Sequence, residues 1–214
     1  MARRVRAYVG LGANVGDARA TLTHAVAALA ALPGSRLRGV SRLYRTAPVG
    51  VVDQPAFLNA VVALDVPAGP DPATGATTLL VQLKDLEREF GRRQRERWGP
   101  RELDLDLLLF GRQRLAIERP PAGMPLSAWL DRGAAARLLE VPHPSIGERL
   151  FVLAPLADLA PGLAPPGIGA TLGRLRDRRA AAEGDAAVDP IGTWDGPHLG
   201  WSAMDPLETD GREP

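Results

Sequence analysis

The 214-residue sequence contains no cysteine. That excludes a disulfide framework, a thiol nucleophile and any cysteine-ligated zinc site. Lysine is almost absent: Lys84 is the only one, and every other basic side chain is arginine. No glycine-rich loop precedes Lys84, so the P-loop and protein-kinase signatures are excluded as well. Aromatic residues make up 5% of the chain and form no run suited to stacking bases, which argues against an RNA-binding sheet. An excess of one charge is also lacking. The net charge of +1 leaves little attraction for a long polyanion, although a local basic cluster can still meet a small anion. No apolar run approaches the ~20 residues that span a bilayer. The stretch Ala7–Leu11 behind the basic start is too short for a signal peptide and runs straight into Gly12 and Asn14. The expectation is a cytoplasmic protein that engages neither nucleic acid nor membrane.

What is present suits a globular core: 45% of the residues are hydrophobic, and the length allows one domain with appendages. Arg6–Leu11 reads as a strand, ended by a glycine-rich turn at Gly10–Gly16. The dinucleotide fingerprint would need glycine where Val15 stands, so this turn is not a Rossmann loop. Asp17 is a candidate N-cap for a helix carrying Leu22, Val26 and Leu29, which Pro33-Gly34 stops. Leu37–Tyr44 and Phe57–Val66 read as strands. Leu79, Leu83, Leu86 and Phe90 mark one helix face, closed by Gly91. Leu103–Phe110 is a further strand. The order β-α-β-β-α-β predicts an α+β sandwich of the ferredoxin-like kind, with a mainly antiparallel sheet. Beyond Gly111, the reading expects a short hairpin strand at Gln113–Ile117 and a helical insertion at about 119–139. Leu150–Leu159 is an apolar segment packing on the core, and Arg174–Arg179 a short helix. Residues 163–214 form a C-terminal extension that is loosely ordered from Glu183.

Four features could carry chemistry. In RWGPRELDLDLLLF the strand period puts Asp104 and Asp106 on one face and leucines on the other. Adjacent carboxylates repel unless cations lie between them, and magnesium takes carboxylate oxygens while keeping water and phosphate as its other ligands. A solvated acidic edge strand explains the pattern about equally well. Arg88, Arg92, Arg93, Arg95, Arg97 and Arg101 precede that strand, and guanidinium forks suit phosphate oxygens. Taken alone, ion pairs with Glu87, Glu89 and Glu96 account for them more simply. Phe57 and Asn59 share a strand face, so a ring to stack on and an amide to read an edge lie together; a plain core phenylalanine is the alternative. His143 stands between Pro142 and Pro144, where prolines stiffen the backbone around the imidazole.

Together, YVGLGANVGD, SRLYRTAPVGVVDQPAFLNAVVAL, RWGPRELDLDLLLF and VPHPSIGERLFVLAPL resemble the 6-hydroxymethyl-7,8-dihydropterin pyrophosphokinase family, from about Tyr8 to Pro161. The resemblance implies transfer of pyrophosphate from ATP to the hydroxymethyl-dihydropterin, with release of AMP, in folate biosynthesis. It assigns two Mg²⁺ ions to Asp104 and Asp106 and makes Arg92, Arg101, Asp104 and Asp106 catalytic. It places the pterin among Thr46, Pro48, Gly50, Phe57, Asn59, Trp98 and Phe151. It places ATP among Glu87, Arg92, Arg95, Arg101, His143 and Arg149. The catalytic domain would span residues 1–162, in a monomer able to contact other folate-pathway enzymes. The loop between Gly91 and Trp98 is one residue shorter than the family pattern, so Arg93 and Arg95 compete for one role. Pro144 stands where an aromatic residue is common. A binding module without activity and a small RNA-binding protein are the rival readings.

Overall fold

The computed structural model describes residues 3–48, 53–91, 99–119, 137–184 and 187–204. Its centre is strand β1 (Arg4–Ala13), which pairs antiparallel with β4 (Phe57–Pro67) on one side and β5 (Asp104–Phe110) on the other. β2 (Arg36–Val40) and β3 (Leu43–Thr46) both pair with the far side of β4. The core strand order β5-β1-β4, then β2 and β3, is the ferredoxin-like arrangement. A separate two-stranded sheet joins β6 (Leu115–Glu118) to β7 (Arg137–Val141).

Local signals explain the boundaries. Helix α1 (Ala18–Ala31) begins where the Asp17 carboxylate accepts the Ala20 N–H at 3.0 Å. Helix α2 (Pro72–Glu89) starts nearly two turns before its first large apolar residue, Leu79. There Asp71 caps Thr74 N–H at 2.9 Å and Pro72 occupies the first turn, where no N–H is needed. Gly91, at φ +81°, follows the end of α2 in the left-handed region open to glycine.

α1 and α2 cover one sheet face through Leu22, Val26, Leu29, Leu79 and Leu83, packed on Val9, Leu11, Val62 and Leu105. The other face, with Tyr8, Val61, Ala63 and Leu108, is covered by α3 (Leu150–Leu159) and by Leu172 at the start of α4 (Leu172–Glu183). No helix among the described residues is long and apolar enough to cross a membrane.

The structure departs from the sequence reading in four places. The predicted turn at Gly10–Gly16 is shorter: β1 runs on to Ala13, and only Gly16, at φ +63°, has turn geometry that favours glycine. The predicted single strand Leu37–Tyr44 is two. At the break the Ser41 hydroxyl accepts the Val61 N–H at 2.9 Å, replacing a backbone ladder bond with a side-chain one. Residues 137–139, assigned to a helical insertion, belong to β7, while 120–136 lie outside the described residues. The extension expected to be loose from Glu183 instead forms β8 (Asp189–Asp195) and β9 (Gly200–Ala203). These lengthen the main sheet beyond β3, and a core-facing Trp201 holds them. Residues 205–214 lie outside the described residues.

Candidate active site

The side-chain alternation of β4 and β5 puts Phe57, Asn59, Asp104 and Asp106 on the sheet face that α3 covers. β1 runs between these two strands. There it offers Gly12, opposite both Asn59 and Asp104, and Gly10, opposite both Val61 and Asp106. Strand glycines leave room that any other residue would fill. A Cβ on Gly12 would sit 3.4 Å from Asn59 Oδ1 and 4.0 Å from Asp104 Cβ. The result is a cavity of about 280 Å³ with a backbone floor, roofed by Arg149, Phe151 and Val152 at the start of α3. Of the glycines that read as a turn in the sequence, Gly12 is this floor and Gly10 lines a smaller hollow that adjoins it. The clue available was their spacing of two, which places both on one strand face.

One end of the cavity is neutral and flat-walled. Asn59 Nδ2 donates to Thr46 Oγ1 at 2.8 Å, both side chains being buried, and Phe57 and Phe151 stand beside them. Asn14, just behind, uses its whole side chain. Its Oδ1 accepts the Arg101 N–H at 2.8 Å, and its Nδ2 donates to Gln54 Oε1 and to the Pro55 carbonyl, both at 3.0 Å. Its backbone N–H also donates to the Arg101 carbonyl at 3.0 Å. Asn14 therefore fixes Arg101 relative to the loop that leads into β4.

The other end is charged. Asp104 and Asp106 both line it, with a third to a half of each side chain exposed, and Arg101 Nη1 lies 3.6 Å from Asp104 Oδ1. Beneath β5 the Glu87 side chain is only 2% exposed, and it accepts the Leu105 N–H at 2.7 Å. Lys84 donates to Glu87 at 2.8 Å and to the Leu105 carbonyl at 2.9 Å, and its Nζ is 4.0 Å from Asp106 Oδ1. The sole lysine and a buried glutamate thus hold both polar groups of the residue between the two aspartates. His143 reaches the cavity because its N–H donates to the Leu108 carbonyl at 2.9 Å, along the outer edge of β5. Its Nδ1 accepts the Ser145 N–H at 3.2 Å, which leaves Nε2 to carry the proton of a neutral ring. A second cavity of about 450 Å³ adjoins the first. It shares Asp106 and His143 with it and is walled by Leu80, Lys84, Leu139 and Pro144.

Of the site residues predicted from sequence, Thr46, Phe57, Asn59, Arg101, Asp104, Asp106, His143, Arg149 and Phe151 all line the first cavity. Pro48 is half-buried next to the lining residue Ala47 and does not line the cavity itself. Glu87 lies behind β5, outside the lining of either cavity. Gly50, Arg92, Arg93, Arg95 and Trp98 fall outside the described residues. Asn14, Lys84, Gly10 and Gly12 were not singled out by the sequence reading.

The model of the 7,8-dihydro-6-hydroxymethylpterin-pyrophosphokinase (HPPK) family matches residues 8–161. The chain belongs to this family. Every cavity residue named above falls inside the matched span, whereas α4, β8 and β9 lie beyond it. A 2-amino-4-hydroxy-6-hydroxymethyldihydropteridine pyrophosphokinase of Pseudomonas aeruginosa is 43% identical over 161 residues, covering 75% of this chain and 84% of its own. The enzyme of the same name from Bacillus subtilis is 39% identical over 153 residues, covering 72% and 77%. A mitochondrial folate synthesis bifunctional protein of Arabidopsis thaliana is 38% identical over 151 residues, or 71% of this chain and 23% of that one. Among solved structures, wild-type Plasmodium falciparum HPPK-DHPS superposes with a TM-score of 0.67 at 13% identity. It covers 95% of this chain and 50% of its own, and at that identity it speaks to the fold alone.

Proposed function

We propose that this HPPK-family chain transfers the terminal diphosphate of ATP to the hydroxymethyl group of 6-hydroxymethyl-7,8-dihydropterin and releases AMP, as a step of folate biosynthesis. The observation that carries this reading is the position of Asp104 and Asp106. Both line the flat-walled amide pocket and Asp106 also lines the second cavity, so two substrates can meet at the carboxylate pair. The pterin would occupy the Thr46–Asn59 end, its ring between Phe57 and Phe151 and its edge read by the Asn59 amide. ATP would occupy the second cavity, with its triphosphate entering at Asp106 and His143.

The donor set fits magnesium: two carboxylates open to solvent on one side and no sulfur ligand, which leaves water and phosphate oxygens to complete the shell. Asp104 and Asp106 would hold two Mg²⁺ ions, which when bound draw charge off the triphosphate oxygens. Asn14 fixes the Arg101 backbone, and the guanidinium it carries can fork onto phosphate oxygens. His143 can donate from Nε2, and Arg149 lies 5.6 Å above the Phe151 ring with its charge towards the same space. The hydroxymethyl oxygen attacks the β-phosphorus and loses its proton, and the bond to the α-phosphate oxygen breaks so that AMP leaves with the electron pair. The chain's contribution is alignment and fixed charge, the main sources of rate in phosphoryl transfer.

Residues 1–162 are the catalytic unit in this reading and 163–214 an extension, supported by a family match that ends at 161. The same reading takes the enzyme as a monomer. The plant relatives are bifunctional folate synthesis proteins, which supports contact with other enzymes of that pathway. We place the enzyme in the cytoplasm. The test is AMP release from ATP in the presence of the pterin and Mg²⁺. Wild type should turn over, whereas Asp104→Asn and Asp106→Asn, both folded, should lose at least about 100-fold in kcat. Near-normal AMP release by either variant overturns the scheme.

A further inference from the structure

We infer that the C-terminal hairpin β8–β9, through Trp201, positions the pterin end of the cavity. This rests on the pterin reading of the Thr46–Asn59 pocket. β3, which carries Thr46, is four residues long and pairs with β4 at only Tyr44↔Asn59, Arg45↔Leu58 and Thr46↔Phe57. A strand this short frays readily when one edge is open. Its outer edge is closed by β8, through Leu43↔Gly192, Tyr44↔Pro190 and Arg45↔Asp189.

The hairpin is anchored well away from the cavity. Trp201 is 6% exposed, belongs to the main core and meets Trp194 edge-on at 4.8 Å. Its Nε1–H donates at 2.9 Å to the carbonyl of Ser41, the residue at the break between β2 and β3. Arg19 of α1 donates to the Trp201 carbonyl at 3.2 Å and the Ile191 carbonyl at 3.3 Å, tying both hairpin strands to the first helix. Gly192 lets the strands approach, since a Cβ there would lie 2.9 Å from the Ser202 carbonyl oxygen.

No described hairpin residue lines the cavity, so any effect on substrate passes through β3. The chain of contacts runs from Trp201 to Ser41, along β3 to Thr46, and from Thr46 Oγ1 to Asn59. The carboxylate pair stands on β5, separated from β3 by β4 and β1. The hairpin should therefore act on one substrate and leave the other alone.

The experiment compares full-length wild type, Trp201→Ala and Trp201→Phe by AMP release with each substrate varied in turn. For Trp201→Ala we expect the KM for the pterin to rise about tenfold, with the KM for ATP within about twofold of wild type. Trp201→Phe keeps most of the ring volume and loses only the Nε1–H bond, and should raise the pterin KM about threefold. If Trp201→Ala does not fold, Trp201→Phe decides. A purely structural role would lower the active fraction, and so kcat, with both KM values unchanged. That pattern, or equal rises for both substrates, overturns the inference. Wild type that neither turns over nor binds the pterin overturns the underlying reading together with it.

Discussion

Gly12 shows how much a missing side chain can determine. It lies between an amide on one neighbouring strand and a carboxylate on the other, and only the absence of a Cβ joins their surroundings into one cavity. Gly12→Val should close that space and weaken pterin binding at least about tenfold while leaving the far-UV circular dichroism intact, as isothermal titration would show. Lys84 and Glu87 work from beneath. Taking Lys84 away leaves a carboxylate that is 2% exposed without its ammonium partner. Such losses cost about 3–5 kcal/mol when both partners are buried, so for a lysine that is one-third exposed we expect about 2–3 kcal/mol from Lys84→Met in urea denaturation. The sequence made Asp104, Asp106 and Arg101 legible, because strand period and residue chemistry coincide there. It could not show that Lys84 and Glu87 brace Leu105, since that depends on how α2 lies across β5.

Elements are tied together by a few charged clamps, and these set the response to pH. The Asp158 carboxylate of α3 accepts from the Arg42 backbone N–H and guanidinium and from Tyr44 Oη, at 2.6 to 3.2 Å, locking β3 to the helix above it. Burial first, and then the Asp158 charge, push the Tyr44 pKa well above its usual value near 10. A raised folded-state pKa means stability that is complete below the unfolded value and lost as pH climbs through the folded one. Denaturant titrations should therefore show a loss above about pH 10 that is shallower in Tyr44→Phe. Asp65 of β4 works in the opposite sense. It pairs with Arg6 of β1 at 2.7 Å and Arg38 of β2 at 3.3 Å, and the hydrogen bond from Arg6 is the main cause of its lowered pKa. Its contribution is present above about pH 4 and disappears as pH falls through the depressed value, so Asp65→Asn should flatten the acid limb of the stability curve. β4, an apolar run rich in β-branched residues, and β5, which opens on alternating Asp and Leu, could be read from sequence. The Ser41 break could not, because a hydroxyl there stands in for a backbone carbonyl as the acceptor of the Val61 N–H. Nor could β8 and β9, which are short, contain glycine and proline, and exist by pairing with a strand about 145 residues earlier.

At the scale of the whole molecule, helices pack on both faces of the sheet, and the cavity lies beside the start of α3. Its walls come from five stretches of sequence: the end of β1, the β3–β4 pair, Gly99–Leu108, the segment after β7 and the start of α3. Motif chemistry pointed to most of these stretches; that they meet follows from the ferredoxin-like strand order, which brings β5, β1 and β4 side by side. The reading of this convergence as a diphosphate-transfer site stands on which phosphorus atoms move. The most direct measurement supplies ATP labelled at both the β- and γ-phosphates, with Mg²⁺ and 6-hydroxymethyl-7,8-dihydropterin, and follows both labels. AMP and a pterin diphosphate should form in equal amounts, with both labels on the pterin; ADP, with only the γ label transferred, would rule out diphosphate transfer.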